Sequence, residues 1–180
     1  MNPDNISYKN QRDLYRLKLA ENEYLAAATY LKNDKKNVSD LNTAIRNVEK
    51  ALSLIPDSSR YQELIKTLLN EKLLFPEGNG KISMAVRDDG MGGRLYSDQR
   101  KITLWINNNS HDVVYINVQY ITMIGKDDRT YTYNDIGMKF KSNLSPGEQT
   151  KGELYFKTRT NPAKIVFNHL VCGEISRTFP

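Results

Sequence analysis

Ile102-Thr103-Leu104-Trp105-Ile106 alternates large aliphatic side chains with a polar and an amphipathic one. A period of two places Ile102, Leu104 and Ile106 on one face of a strand and Thr103 and Trp105 on the other. The polar break Asn107-Asn108-Asn109-Ser110-His111-Asp112 follows, then a β-rich run from Val113 to Ile124. Lys126-Asp127-Asp128-Arg129 reads as a turn and Thr130-Tyr131-Thr132-Tyr133 as extended chain. Leu144-Ser145-Pro146-Gly147-Glu148 is another turn, and Leu154-Tyr155-Phe156 lies in the strand after it. Alternation broken by turn signals about every eight to twelve residues marks a half-buried antiparallel sandwich.

Outward from that run, strands are expected near residues 81–87, 100–107, 113–124, 129–134, 137–142, 150–157, 163–168 and 170–178. Ile82, Met84 and Val86 share one face of the first. In the third, the apolar face moves from Val114, Ile116 and Val118 to Ile121 and Met123. A slip of one residue flips every side chain, so the change of face predicts a bulge near Tyr120.

Before residue 76 the period changes. Residues 1–6 carry no pattern, and a first helix is expected from Ser7 to Lys32. Leu14, Leu17, Tyr24, Ala28 and Leu31 recur at helical spacing and form its stripe. After the polar stretch Asn33–Asn37, Ser39 or Asp40 can cap a second helix, with Leu41, Ala44, Ile45, Val48, Leu52 and Ile55 buried and Pro56 as its stop. Asp57 or Ser58 can cap a third, whose stripe is Tyr61, Leu64, Ile65, Leu68 and Leu69. Pro76-Glu77-Gly78-Asn79-Gly80 then reads as a linker. The expected architecture is α+β: a helical hairpin or three-helix unit over residues 1–76, then an immunoglobulin-like antiparallel β-sandwich over 80–180. The cluster Leu73-Leu74-Phe75 is expected to dock the helices on the sandwich.

Residues 1–79 hold 12 basic and 11 acidic side chains, and residues 80–180 hold 14 and 10, within a formal net charge of +5. The excess is spread rather than clustered, so a nucleic-acid surface is not expected. Cys172 is the sole cysteine and cannot form an internal disulfide. No stretch approaches the roughly 20 apolar residues of a membrane-spanning helix. Residues 1–20 are charged throughout and do not read as a signal peptide. If Met1 opens the natural chain, the compartment is the cytoplasm. If an anchor precedes it, the chain is extracytoplasmic and membrane-anchored.

Two resemblances bear on this architecture. Tyr24-Leu25-Ala26-Ala27-Ala28-Thr29-Tyr30, Ala44 and Ala51-Leu52-Ser53-Leu54-Ile55-Pro56-Asp57 resemble a partial tetratricopeptide repeat, a plain three-helix unit being the alternative. From residue 80 onward the order is a strand, Asn107-Asn108-Asn109-Ser110, a strand opening on paired valines and an acidic turn. An aromatic strand, Leu144-Ser145-Pro146-Gly147 and Gly152-Glu153-Leu154-Tyr155-Phe156 complete it. This order resembles the small immunoglobulin-like domain of unknown function in Gram-positive surface proteins and lipoproteins. That resemblance implies a non-catalytic module of the bacterial cell envelope, often behind a membrane anchor, and supplies no catalytic residues.

The chain offers little for catalysis. A structural zinc site needs about four N or S ligands, and only His111, His169 and Cys172 are of that kind. His169 and Cys172 are three apart and would face opposite sides of a strand. Asp88-Asp89-Gly90-Met91-Gly92-Gly93 lacks the spaced ladder of a calcium loop and reads as a mobile hairpin loop. The expectation is therefore no cofactor, no metal and no enzyme. The function expected is a protein–protein interaction or scaffold module of an envelope-associated assembly, with protein partners or self-association. The alternatives are a cytoplasmic adaptor gripping a peptide with its helices, and a metal-dependent or thiol enzyme. Tyr15, Leu19, Tyr30, Tyr131 and Tyr133 are the candidate partner-binding residues, because exposed aromatic and aliphatic side chains anchor interfaces.

Overall fold

The computed structural model describes residues 3–34, 36–94 and 96–180, with residues 3–7 described for their backbone alone. Packing divides the chain between Lys72 and Leu73 into two units.

The first unit holds α1 (Pro3–Leu31), α2 (Val38–Leu54) and α3 (Ser59–Lys72). Helix α1 begins before the expected Ser7, while Met1 and Asn2 lie outside the described residues. In α2, Leu41, Ala44, Ile45, Val48 and Ala51 are buried, one stripe of a 3.6-residue period. Its cap is Asn37 rather than Ser39 or Asp40. The Asn37 side chain accepts from the Asp40 backbone N–H at 2.8 Å and donates to the Asp40 carboxylate at 2.7 Å. Pro56, with no N–H to offer, keeps the helix from continuing. Ser58 caps α3 through a 3.4 Å contact from the Tyr61 N–H, and α3 buries Tyr61, Leu64 and Leu68.

Helix α1 departs from expectation. Leu14 and Leu17 are exposed, and the buried positions are Ala20, Ala27 and Tyr30. Arg16 donates to the carbonyl of Leu54, the last residue of α2, at 3.1 Å. The part of α1 before Arg16 thus runs past the end of α2, which cannot cover Leu14. Where α1 does meet its neighbours, alanines let the backbones approach, and Tyr24 packs on Tyr61 with ring centroids 5.2 Å apart.

The second unit comprises β1 (Glu77–Gly78), β2 (Ile82–Gly92), β3 (Tyr96–Asn108), β4 (Val114–Tyr115), β5 (Ile121–Gly125), β6 (Thr130–Met138), β7 (Asn143–Leu144), β8 (Gln149–Phe156), β9 (Pro162–His169) and β10 (Gly173–Thr178). Eight strands make one antiparallel sheet in the order β1-β2-β3-β8-β6-β5-β9-β10, and β4 pairs with β7 apart from it. The sheet coils until its ends meet: Arg177 on β10 donates to the Glu77 carboxylate on β1, and Asn79 donates to the Cys172 carbonyl at 2.5 Å. The inner face carries the alternating triplets Ile82, Met84, Val86 and Ile102, Leu104, Ile106, closed by Leu154, Phe156, Ile165 and Phe167. Gly152 has no side chain because the Phe140 ring occupies its place: an added Cβ would stand 2.2 Å from that ring.

Four expectations change here. Pro76–Gly80 is not a linker, since Glu77 pairs with Met84 and Gly78 with Ser83, while Leu73 joins the β core. Residues 113–124 are not one bulged strand. A 3-10 turn over Val118–Tyr120, capped by the Asn117 side chain at 3.0 Å, changes the face between Ile116 and Ile121. Of the expected strands 129–134 and 137–142, the first and the start of the second make one strand, β6, with two register shifts, and residues 139–142 are not strand. Asp88–Gly92 is the end of β2 rather than a mobile loop, with Gly90 at φ 79 relieving a register shift.

Candidate interaction surface

From Tyr8 to Leu19 no side chain of α1 is buried. A helix turns about 100° per residue, so the azimuth of each side chain follows from its number. Lys9, Arg12 and Arg16 lie on the side that, further along, carries the buried Ala20 and Ala27. Leu14 and Leu25 lie on the opposite side, Tyr8, Tyr15 and Leu17 at the flanks and Leu19 close to the azimuth of Tyr30, and all six are exposed. The apolar side chains at the front of α1 are therefore scattered around the helix, whereas Ala20, Ala27 and Tyr30 gather on one side of its back. Only the back is covered by α2 and α3.

Tyr15 and Leu19 stand on this surface, with Tyr15 68% exposed. Tyr30 does not: it is 6% exposed because it lies on the same side as Ala27. Burial first, and then the neighbouring Glu71 carboxylate, push its phenol up. Tyr131 and Tyr133 belong to the other unit, half-buried against the β core. The Tyr131 hydroxyl donates to Asp127 at 2.7 Å, which holds that carboxyl below its ordinary value. Of the five candidates, Tyr15 and Leu19 are exposed, Tyr131 and Tyr133 are half-buried and Tyr30 is buried.

Beside the buried Tyr30, a groove of about 480 Å³ between α1 and α2 is lined by Ala26, Thr29, Asp40, Ala44 and Asn47 among others. On the outer face of the β unit, Trp105 borders a depression of about 380 Å³. The alternation around Leu104 already pointed Trp105 outward, but Leu74, Pro76 and Gln149, which shape the depression with it, are distant in sequence.

The groups that could carry chemistry are engaged elsewhere. His169 ends β9 and Cys172 lies in the turn that follows it, so the two do not share a strand. His169 Nδ1 accepts from the Cys172 N–H at 2.9 Å and its Nε2 lies 3.0 Å from the Tyr115 carbonyl. Burial pushes the Cys172 thiol up, away from the thiolate a nucleophile needs. Asp88 pairs with Arg100 at 2.5 Å, and Asp89 with Arg87 at 2.5 Å. Among the described residues no three His, Cys, Asp or Glu side chains gather as a metal site. No helix among them is long and apolar enough to cross a membrane.

No family model matches the chain, and none of the curated proteins does. Solved structures offer loose likenesses. MPT63, a secreted protein of Mycobacterium tuberculosis, is 16% identical with a TM-score of 0.43, over 58% of this chain and 90% of that one. The yjhA protein of Bacillus subtilis is 14% identical with a TM-score of 0.46, over 59% and 96%. The ycdA protein of Bacillus subtilis is 11% identical with a TM-score of 0.44, over 56% of this chain and 37% of that longer one. None is close enough to bear on function.

Proposed function

We propose that this protein is a non-enzymatic scaffold module that self-associates through α1. One observation carries the reading: the apolar front half of α1 has no cover within its unit. A free helix of about 12–15 residues is marginal in water, so such a face needs a partner. The partner we assign is a second copy, on the pattern of one stripe. Leu14, Lys18, Glu21 and Leu25 recur at four, three and four residues along one side, where Leu14, Lys18 and Leu25 are exposed and the half-buried Glu21 also meets Arg60 and Tyr61 of α3. Turned antiparallel on itself, that stripe sets Leu14 against Leu25 and Lys18 against Glu21, with the same pairs repeated by two-fold symmetry. Tyr15 borders it.

The β unit is read as the immunoglobulin-like domain that the order of turns resembles. Parting the sheet between β5 and β6 leaves β1-β2-β3-β8-β6 and β5-β9-β10, which, with the two-residue β1 set aside, is the four-plus-three division of that fold. The same resemblance supports a place in the bacterial envelope, with the β unit held outside the membrane. The groove beside Tyr30 supports the second reading, an adaptor that grips a peptide.

Sedimentation equilibrium of the full chain tests the first reading. The expected result is a dimer that Leu14→Ser with Leu25→Ser dissociates while far-UV circular dichroism stays unchanged. A monomer at every concentration would refute self-association. Unfolding by the double substitution would show instead that this face is core.

A further inference from the structure

The seam of the coiled sheet is held in part by Asn79, and Gly80 follows it, the only Asn-Gly pair in the sequence. The Asn79 side chain folds forward over its own backbone. Its Oδ1 accepts from the Lys81 N–H at 3.2 Å and from the Ile82 N–H at 3.3 Å. Its Nδ2 donates to the Cys172 carbonyl at 2.5 Å. Gly80 sits at φ 85, a conformation that a residue without a Cβ adopts freely. An added Cβ there would meet nothing within 4 Å, so the surroundings are open to water. The Gly80 N–H meets no acceptor among the described residues, and Asn79 is itself exposed.

We propose that Asn79 is a site of spontaneous deamidation and that the fold assembles the groups that promote it. The nucleophile is the Gly80 backbone nitrogen, next in the chain to the Asn79 Cγ that it attacks. It gives its proton to hydroxide, the N–Cγ bond forms, and negative charge collects on Oδ1. The Lys81 and Ile82 N–H groups already bond that oxygen, the arrangement that stabilises an oxyanion. The Cγ–Nδ2 bond then breaks. Nδ2 takes a proton from water, which restores the hydroxide, and leaves as ammonia. A cyclic imide remains. Water opens it at Cγ to give aspartate, or at the main-chain carbonyl to give isoaspartate, whose main chain runs through Cγ.

Both products act on the seam. The amide that donated to the Cys172 carbonyl becomes a carboxylate, an acceptor facing an acceptor. Isoaspartate also lengthens the main chain directly after β1, whose Gly78 pairs with Ser83. Asn108 likewise donates its amide to a carbonyl, that of Leu144, but it is buried, and the side chain of the next residue, Asn109, shields the attacking nitrogen. The seam therefore carries a slow chemical clock: each molecule begins with an amide at position 79 and ends with a charge there.

The full chain is kept at mildly alkaline pH and followed by intact mass and by mapping of its proteolytic peptides. A synthetic peptide of residues 77–84, which has the Asn-Gly bond without the fold, is followed beside it. The expected result is a gain of about one dalton confined to Asn79, at a rate no lower than in the peptide. A folded chain that converts more slowly than the peptide, or that converts first at another asparagine, would overturn the proposal. Asn79→Asp supplies one product from the start. It should melt a few degrees below the natural chain, and below Asn79→Ala, which removes the bond without adding charge. An Asn79→Asp variant that melts as high as the natural chain would overturn the effect on the seam.

Discussion

In the β unit every second residue of the central strands is withdrawn from water: Ile102, Leu104 and Ile106 are fully buried. In α1, Leu14 and Leu17 have equally apolar side chains, yet Leu14 is 54% exposed. The difference lies in what each element can offer its neighbours. A strand in the middle of a sheet has partners on both edges, so its faces are decided along its whole length. A helix of 29 residues is about 43 Å long, whereas α2 and α3 have 17 and 14 residues and cover only part of it. Apolar composition measures burial only where something is present to bury against.

The largest test of that contrast uses two leucines. Leu104→Ala should cost about 2–5 kcal/mol, the range for emptying a packed core position. Leu17→Ala should change stability by no more than about 0.5 kcal/mol, since no packing is lost. Denaturant melts followed through Trp105 for the first and far-UV circular dichroism for the second give both figures. Equal losses would mean that the front of α1 is covered after all.

A smaller effect separates the units by location. Asn37→Ala removes the cap of α2 and should cost about 1 kcal/mol, in the helical signal and not in Trp105 emission. A matching shift in both signals would show that the two units melt as one.

The smallest effect is one of pH, confined to the β unit. Lys141, 2.7 Å away, and then the Ser145 N–H hold the Glu148 carboxyl below its ordinary value of 4.5. A depressed carboxyl stabilises the fold above its ordinary pKa, and that contribution disappears as pH falls through the folded value. The gap in melting temperature between the natural chain and Lys141→Met should therefore be small but measurable at neutral pH. Below pH 4.5 it should shrink. A gap that is constant with pH would assign the effect to the lysine's methylenes instead.

The sequence was most legible where one pattern admitted one answer. Ile82, Met84 and Val86 alternate cleanly, and their face is the core. The change of face after Ile116 was visible too. Its cause was not, because a bulge and a 3-10 turn both insert an odd residue and only the Asn117 cap distinguishes them. Helix α1 was misread because it offers two seams. Leu14–Leu17–Tyr24–Ala28–Leu31 and Ala20–Ala27–Tyr30 both fit a helical period, and the choice depends on where α2 ends. Tyr30 passed as a surface residue for that reason. The surroundings of Trp105 were out of reach because Lys151 and Gln149 come from β8, more than forty positions away along the chain.

The contact between Arg177 and Glu77 joins residues 100 positions apart. It sets the order in which the molecule can assemble during synthesis. Every contact within the helical unit lies among its first 72 residues, so that unit can be complete while the remainder is still being made. The coiled sheet has no such option, because β1 must wait for β10 before the seam between them can shut. Long-range pairing of this kind slows folding and leaves strand edges open in the meantime. For that interval the helical unit is finished while the side-chain bonds of Asn79 and Arg177 that close the seam are still unmade.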